Sequence, residues 1–280
     1  MKKKIPTLSE ATRIVYKRQY NGTDSAKNFL VAMKHNIQAI GDIRVDKITT
    51  PVVNKMMDYL LFKLKNSKAV VNTKRGYLKT VLDHMIDDGY IDKEVRLPKR
   101  HKANKPKVEY LTKDMEEELL NYLWSKDFEA VDIVTCLIDL GCRVNELLGL
   151  EKRFIDFENN QINFNERKND NAVAVPMTDR VQSIIRPYYR KARDFDKVFS
   201  LKYDQLNGIW QDARKSLGYA NKKFYTLHLC RHTTASRLVQ RGVPLLLVKD
   251  WLGHEDIKTT MIYAHLQPRA LHSVVGVLND

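Results

Sequence analysis

Residues 96–107, RLPKRHKANKPK, favour no regular element, because two prolines and many basic side chains occur there without a single acid. Proline removes a backbone donor and pushes the residue before it out of the helical region, and a block of like charge repels itself. The stretch therefore reads as a linker. It separates segments 1–95 and 109–280 of a 280-residue chain, and each is long enough to bury its own core. With the basic linker at 96–108 lying along a polyanion, two such domains are expected to close around it as a clamp.

The charge is unevenly placed. Of the formal +14, residues 1–108 carry all of the excess, with 24 Lys and Arg against 10 Asp and Glu, while residues 109–280 hold 24 of each. That distribution suits a polyanion-binding protein. Met1-Lys2-Lys3-Lys4 is followed by Ile5-Pro6 and polar sequence rather than an apolar run, so no signal peptide is expected, and no window approaches membrane-spanning length. Cys136, Cys142 and Cys230 are odd in number and lack metal-type spacing. These features indicate a cytoplasmic chain with no disulfide framework, no membrane association and no metal site.

Periodicity predicts four helices before the linker. Thr7-Leu8-Ser9-Glu10 has the form of a capping box opening a helix to about Tyr20. A second runs from about Ser25 with Phe29, Met33, Ile37 and Ile40 at helical spacing, ending at Gly41. Thr50-Pro51 opens a third with Val53, Met56, Met57, Leu60, Leu61 and Leu64 inward, and a fourth spans about Ala69 to Gly89. Their basic faces, Lys55 and Lys63 on the third and Lys68, Lys74, Arg75 and Lys79 on the fourth, join Lys99, Arg100, Lys102, Lys105 and Lys107 of the linker as candidate phosphate contacts.

The second segment is predicted to mix helices with a small sheet. Helices from Thr112 and from about Asp127 to Leu140 lead to Arg143, and alternating runs 153–157 and 161–165 flank a two-residue Asn159-Asn160 turn. A third short strand covers 172–175, with Lys168 in the polar turn before it, and further helices cover about 178–192 and 203–217. The expected fold is thus mostly α with a small antiparallel β-sheet, an all-α N-terminal domain followed by an α+β domain.

Between Thr226 and Leu266, Gly242 and Gly253 cut the chain into helices, with Pro244 suited to the first turn of the second. His228 and Arg231, three apart, project from one helical face, His254 lies just past Gly253, and Tyr263 follows nine residues later. This order, H-x-x-R-H-T, then L-G-H, then T-T-x-x-Y-A-H, resembles the catalytic half of the tyrosine recombinases, or phage-type integrases. Gly141-Cys142-Arg143-Val144-Asn145-Glu146-Leu147 is similar to that family's first arginine box. The four-helix segment looks like its core-binding domain.

The resemblance implies a site-specific recombinase that cuts DNA through a 3′-phosphotyrosine, exchanges strands and reseals them without metal, ATP or another cofactor, most naturally to integrate or excise a phage or mobile element. Tyr263 is then the nucleophile. Arg143 and Arg231 neutralise the phosphate, a task suited to their planar, permanently charged forks. His228 accepts the tyrosine proton or bonds a phosphate oxygen, and His254 bonds a phosphate oxygen; Lys168 is the general acid, and Glu146 orients an arginine from behind. The implied partners are double-stranded DNA carrying inverted core half-sites, a homotetramer on DNA that is monomeric or weakly associated when free, and accessory bending or directionality factors. No separate arm-binding domain is expected before Thr7. The apolar segment from Pro268 is expected to form a helix that docks on a neighbouring protomer. Two alternatives share the features: a type IB topoisomerase-like DNA-relaxing enzyme and a non-catalytic DNA-binding protein of the same fold.

Overall fold

A computed structural model describes residues 4–92, 95–102, 108–164 and 173–267. The chain divides into two compact units, residues 1–105 and 106–280. The fold is mostly α-helical with a three-stranded antiparallel sheet.

In the first unit, α1 (Leu8–Val15) starts at the reciprocal cap of Thr7 and Glu10 and continues through a π-helical turn, Tyr16–Tyr20. α2 (Ala26–Ile40) stops at Gly41, whose φ of 84° is open to glycine. α3 (Thr50–Asp58) opens with Pro51 in its first turn and also runs into a π-turn, Tyr59–Lys63. α4 (Lys68–Asp87) is capped by Ser67. The inward faces supply one core, including Phe29, Met33, Met56, Leu60, Leu78, Leu82 and Met85. Tyr20 stacks on Phe29 with ring centroids 4.0 Å apart.

Two features of this unit depart from the amphipathic reading. Lys74 is not on the outer face: only 7 % exposed, its Nζ donates to Asn66 Oδ1 at 2.6 Å and lies 2.8 Å from His35 Nδ1. Burial of the ammonium lowers its pKa. Lys74 is therefore corrected from phosphate contact to interior strut. The start of the basic segment is also less loose than a linker. Arg75 Nε donates to Pro98 O at 2.8 Å, and Asn72 exchanges two 2.9 Å bonds with the backbone of His101. Lys55, Lys63, Lys68, Lys79, Lys99, Arg100 and Lys102 are exposed, although Lys79 pairs with Asp83 at 2.7 Å. Lys105 and Lys107 lie outside the described residues.

The second unit is built on α6 (Phe128–Leu140), whose Ile133, Val134, Cys136, Leu137, Ile138 and Leu140 are all buried. Around it pack α5 (Lys113–Trp124), α8 (Asp179–Lys191) and α10 (His228–Gln240). The short α7 (Val144–Leu148) and α9 (Tyr203–Ser216) complete this layer, with Trp210 buried and its Nε1 donating to Tyr225 O. Strands β1 (Ile155–Asp156), β2 (Gln161–Phe164) and β3 (Val173–Pro176) lie in that order. Asp156 pairs with Gln161, so the first connection spans residues 157–160 rather than two. The cause is local: the Asp156 carboxylate accepts from the backbone N–H of Glu158 and Asn159, while Asn160 takes φ 55°. Cys136, Cys142 and Cys230 are buried free thiols. Among the described residues, no helix is long and apolar enough to cross a membrane.

Candidate active site

α10 carries little hydrophobic sequence yet runs through the interior, so its polar side chains must find partners. Thr233 Oγ1 donates to Leu229 O and accepts from Leu111 N, and Thr234 Oγ1 donates to Ile138 O at 2.7 Å. Arg237 reaches the buried carboxylate of Glu116 on α5 at 2.5 Å. Glu116 also holds Arg180 of α8 at 3.3 Å, and Arg180 in turn pairs with Asp139 of α6. This charged brace fixes α10 at its lower end.

At its upper end α10 presents His228, Arg231 and His232 on one face. Arg231 is 3 % exposed, and its fork spans two helix termini. Nη1 donates to Gly141 O at 2.7 Å and Nη2 to Leu252 O at 2.8 Å. Both acceptors belong to helix ends closed by left-handed glycines, Gly141 after α6 (φ 64°) and Gly253 after α11 (Leu245–Leu252; φ 62°). A helix C-terminus leaves carbonyls unpaired and carries partial negative charge, so it suits a buried cation.

Arg143 sits at the N-cap of α7 with half of its side chain exposed. Glu146 holds it twice, accepting from the Arg143 backbone N–H at 2.8 Å and from Nη1 at 2.6 Å. His254, just past Gly253, is buried, with Nδ1 2.8 Å from Thr260 Oγ1 at the end of α12 (Ile257–Thr260).

Tyr263 lies in the 3₁₀ turn Met261–Leu266 and is 2 % exposed. It packs with Ala235, Val239, Val248 and Leu252 in a small core of its own. Its hydroxyl is 2.7 Å from His232 Nδ1. Burial pushes the phenol up to about 12, with Arg231 acting in the opposite direction. The His228 ring crosses that of His232 nearly at right angles, centroids 4.8 Å apart. His228 is exposed at its surface, yet desolvation by the groups crowded around its ring, followed by the charges of His232, Arg231 and Arg143, pushes it down to about 4. His232 is lowered as well, first by burial and then by Arg231. Arg231 thus acts on His228, His232 and Tyr263, and Arg143 on His228, which draws all of them into one constellation.

Of the residues singled out from sequence, Arg143, Glu146, His228, Arg231, His254 and Tyr263 all lie in the second unit, His254 two residues past the Leu252 carbonyl that holds Arg231. Lys168 lies outside the described residues. His232 received no role from sequence, although its signal was present: it follows Arg231 directly and stands one helical turn after His228. Among the described residues, no group of three or more His, Cys, Asp and Glu is placed to hold a metal ion.

Residues 109–269 match the model of the phage integrase family. The chain is 32 % identical over 225 residues to the tyrosine recombinase XerA of Saccharolobus solfataricus, covering 79 % of this chain and 75 % of the relative. It is 24 % identical to a prophage ps2 probable integrase of Lactococcus lactis, covering 85 % and 73 %. Its fold is similar to that of the Tn1549 transposon integrase in complex with transposon right-end DNA (TM-score 0.80, 18 % identity, 98 % of this chain and 100 % of that one). It is also similar to a lambda integrase dimer bound to a COC′ core site (TM-score 0.70, 18 % identity, 94 % and 78 %).

Proposed function

This chain belongs to the phage integrase family and is a tyrosine recombinase, a DNA breaking and rejoining enzyme, and on that premise we propose that Tyr263 is its nucleophile within a site made by Arg143, His228, Arg231 and His254. The observation that carries the assignment is the burial of Tyr263 against His232, the residue that follows Arg231, a cation fixed by two helix ends whose charge bears on the phenol. A phosphodiester under attack gathers charge on its non-bridging oxygens, which preorganised cations stabilise. Arg143, exposed and oriented by Glu146, supplies the second cation from the start of α7. His254, held through Thr260, bonds a phosphate oxygen. Lys168 protonates the leaving 5′ oxygen.

The resulting 3′-phosphotyrosine keeps the energy of the broken bond for rejoining. The substrate is duplex DNA with inverted core half-sites, bound as a homotetramer, and the use is integration or excision of a mobile element. Exposed Lys55, Lys63, Lys68, Lys99, Arg100 and Lys102, joined by Lys105, Lys107 and more weakly by Arg75 and Lys79, contribute backbone contacts. Solved relatives bound to DNA and a prophage integrase among the similar sequences support this reading. The division of labour is a DNA-binding domain at 1–95, a basic connection at 96–108 and a catalytic domain at 109–280. On a nicked suicide substrate, Tyr263→Phe is expected to bind the site as the natural protein does and to form no covalent adduct. An adduct in that variant would remove Tyr263 from the nucleophile's place.

A further inference from the structure

We propose that His232 is the proton acceptor for Tyr263, a catalytic role carried by the 2.7 Å approach of its Nδ1 to the phenol oxygen. This rests on Tyr263 being the nucleophile. A phenol attacking phosphorus must lose its proton as the O–P bond forms, and the acceptor must lie within hydrogen-bond reach beforehand. His232 meets that condition: it stands one turn after His228 on α10, and its ring lies against the 3₁₀ segment that carries Tyr263. His228, by contrast, packs edge to face on the His232 ring. That contact steadies the His232 ring and leaves His228 its own place in the site beside the phosphate.

The groups facing His232 are His228 and Arg231 on its own helix and Tyr263 from the packed turn, while Arg143 acts on His228. Burial and Arg231 keep the imidazole neutral near neutral pH and leave Nδ1 able to accept. Burial likewise keeps Tyr263 protonated until it attacks. In the step itself the Tyr263 O–H bond breaks and its proton passes to His232 Nδ1 as the tyrosine oxygen bonds to phosphorus. The bond from phosphorus to the 5′ oxygen breaks, its electron pair stays on that oxygen, and the oxygen takes a proton from the acid assigned above to Lys168. On resealing, the 5′ hydroxyl gives its proton back to the now neutral acid as its oxygen bonds to phosphorus, the bond from phosphorus to the tyrosine oxygen breaks, and the imidazolium returns its proton to that oxygen.

The test is single-turnover adduct formation on a nicked suicide substrate between about pH 5 and 9, with DNA affinity measured alongside. His232→Asn keeps an acceptor near the position of Nδ1 but takes no proton. It is expected to bind DNA normally, to cleave on the order of a hundredfold more slowly, and to lose the acid-side fall in rate. Placing a fluorinated tyrosine of lower phenol pKa at position 263 should then restore at least part of that loss, which a merely structural role would not allow. A wild-type rate and pH profile in His232→Asn, or no recovery with the fluorinated nucleophile, overturns the proposal. Should His232→Asn fail to bind DNA, the unsubstituted enzyme and His228→Asn decide together: an acid limb present in both supports the role, and a limb that disappears with His228, or a flat profile, refutes it. Tyr263→Phe separates the two levels. An adduct there defeats the nucleophile assignment, whereas its absence beside an unimpaired His232→Asn defeats this inference alone.

Discussion

Replacing Gly141 with alanine perturbs the point where α6, α10 and α11 meet. The residue has φ 64°, and a Cβ there would stand 2.9 Å from Leu252 Cδ2 and 3.0 Å from Thr234 Cβ and Cγ2. A non-glycine residue in the left-handed region costs about 1–2 kcal/mol, and forcing a methyl group into a filled core costs about 1–3 kcal/mol. Leu252 and Thr234 cannot yield independently, because the Leu252 carbonyl holds Arg231 and the Thr234 hydroxyl holds Ile138 O. Gly141→Ala is therefore expected to destabilise the second unit by about 2–5 kcal/mol. The same shift moves the Gly141 carbonyl that accepts from Arg231, so cleavage should fall more than folding alone explains. Denaturant unfolding followed by tryptophan fluorescence gives the first quantity, and single-turnover cleavage under conditions where the variant is folded gives the second. A change below about 0.5 kcal/mol with undiminished cleavage would show that neither the strain nor the Arg231 cradle is as described.

Arg143→Ala removes a half-exposed cation held by Glu146, so it should leave unfolding nearly unchanged and slow adduct formation about a hundredfold, close to 3 kcal/mol; a loss of only a few-fold in single-turnover cleavage would exclude it from the site. Glu116→Gln takes the charge from a buried carboxylate facing Arg237 and Arg180 and is expected to cost on the order of 3 kcal/mol in urea unfolding, an unchanged midpoint counting against the brace. Acid should weaken the second unit, since His228 and His232 have folded pKa values below the unfolded one. Their contribution is fully present above the usual histidine value and is lost as pH falls toward about 4 for His228. Unfolding midpoints measured across that window should decline with falling pH, and less so in His228→Asn; a level series would contradict the shifts.

The helices were readable in sequence because capping residues and apolar spacing agree: Thr7 with Glu10, Ser67, Thr112, Asp127 and the left-handed stops Gly41, Gly141 and Gly253 each mark an end. The candidate site residues could be named from sequence because they stand in short boxes, and the spacing places Arg143 at the start of α7 and His254 just past the end of α11. Contacts made by distant segments were not readable. Lys74 has the spacing of a surface lysine, and only the approach of His35 from α2 and Asn66 from the preceding loop turns it inward. The π-turns that prolong α1 and α3 leave no mark on periodicity, and Asp156 lengthened a loop that Asn159-Asn160 alone suggested was tight. His232 was visible in the motif, but its partner lies 31 residues away, and only folding brings Tyr263 to it.

The most direct measurement is to locate the covalent bond itself. Protein trapped on a nicked duplex is digested with protease, and the peptide carrying the residual nucleotide is identified by mass spectrometry. The nucleotide is expected on Tyr263, joined through a 3′-phosphate, with a free 5′ hydroxyl on the released strand. Attachment at another side chain, or through a 5′-phosphate, would contradict the assignment of this buried tyrosine and of the cations gathered around it.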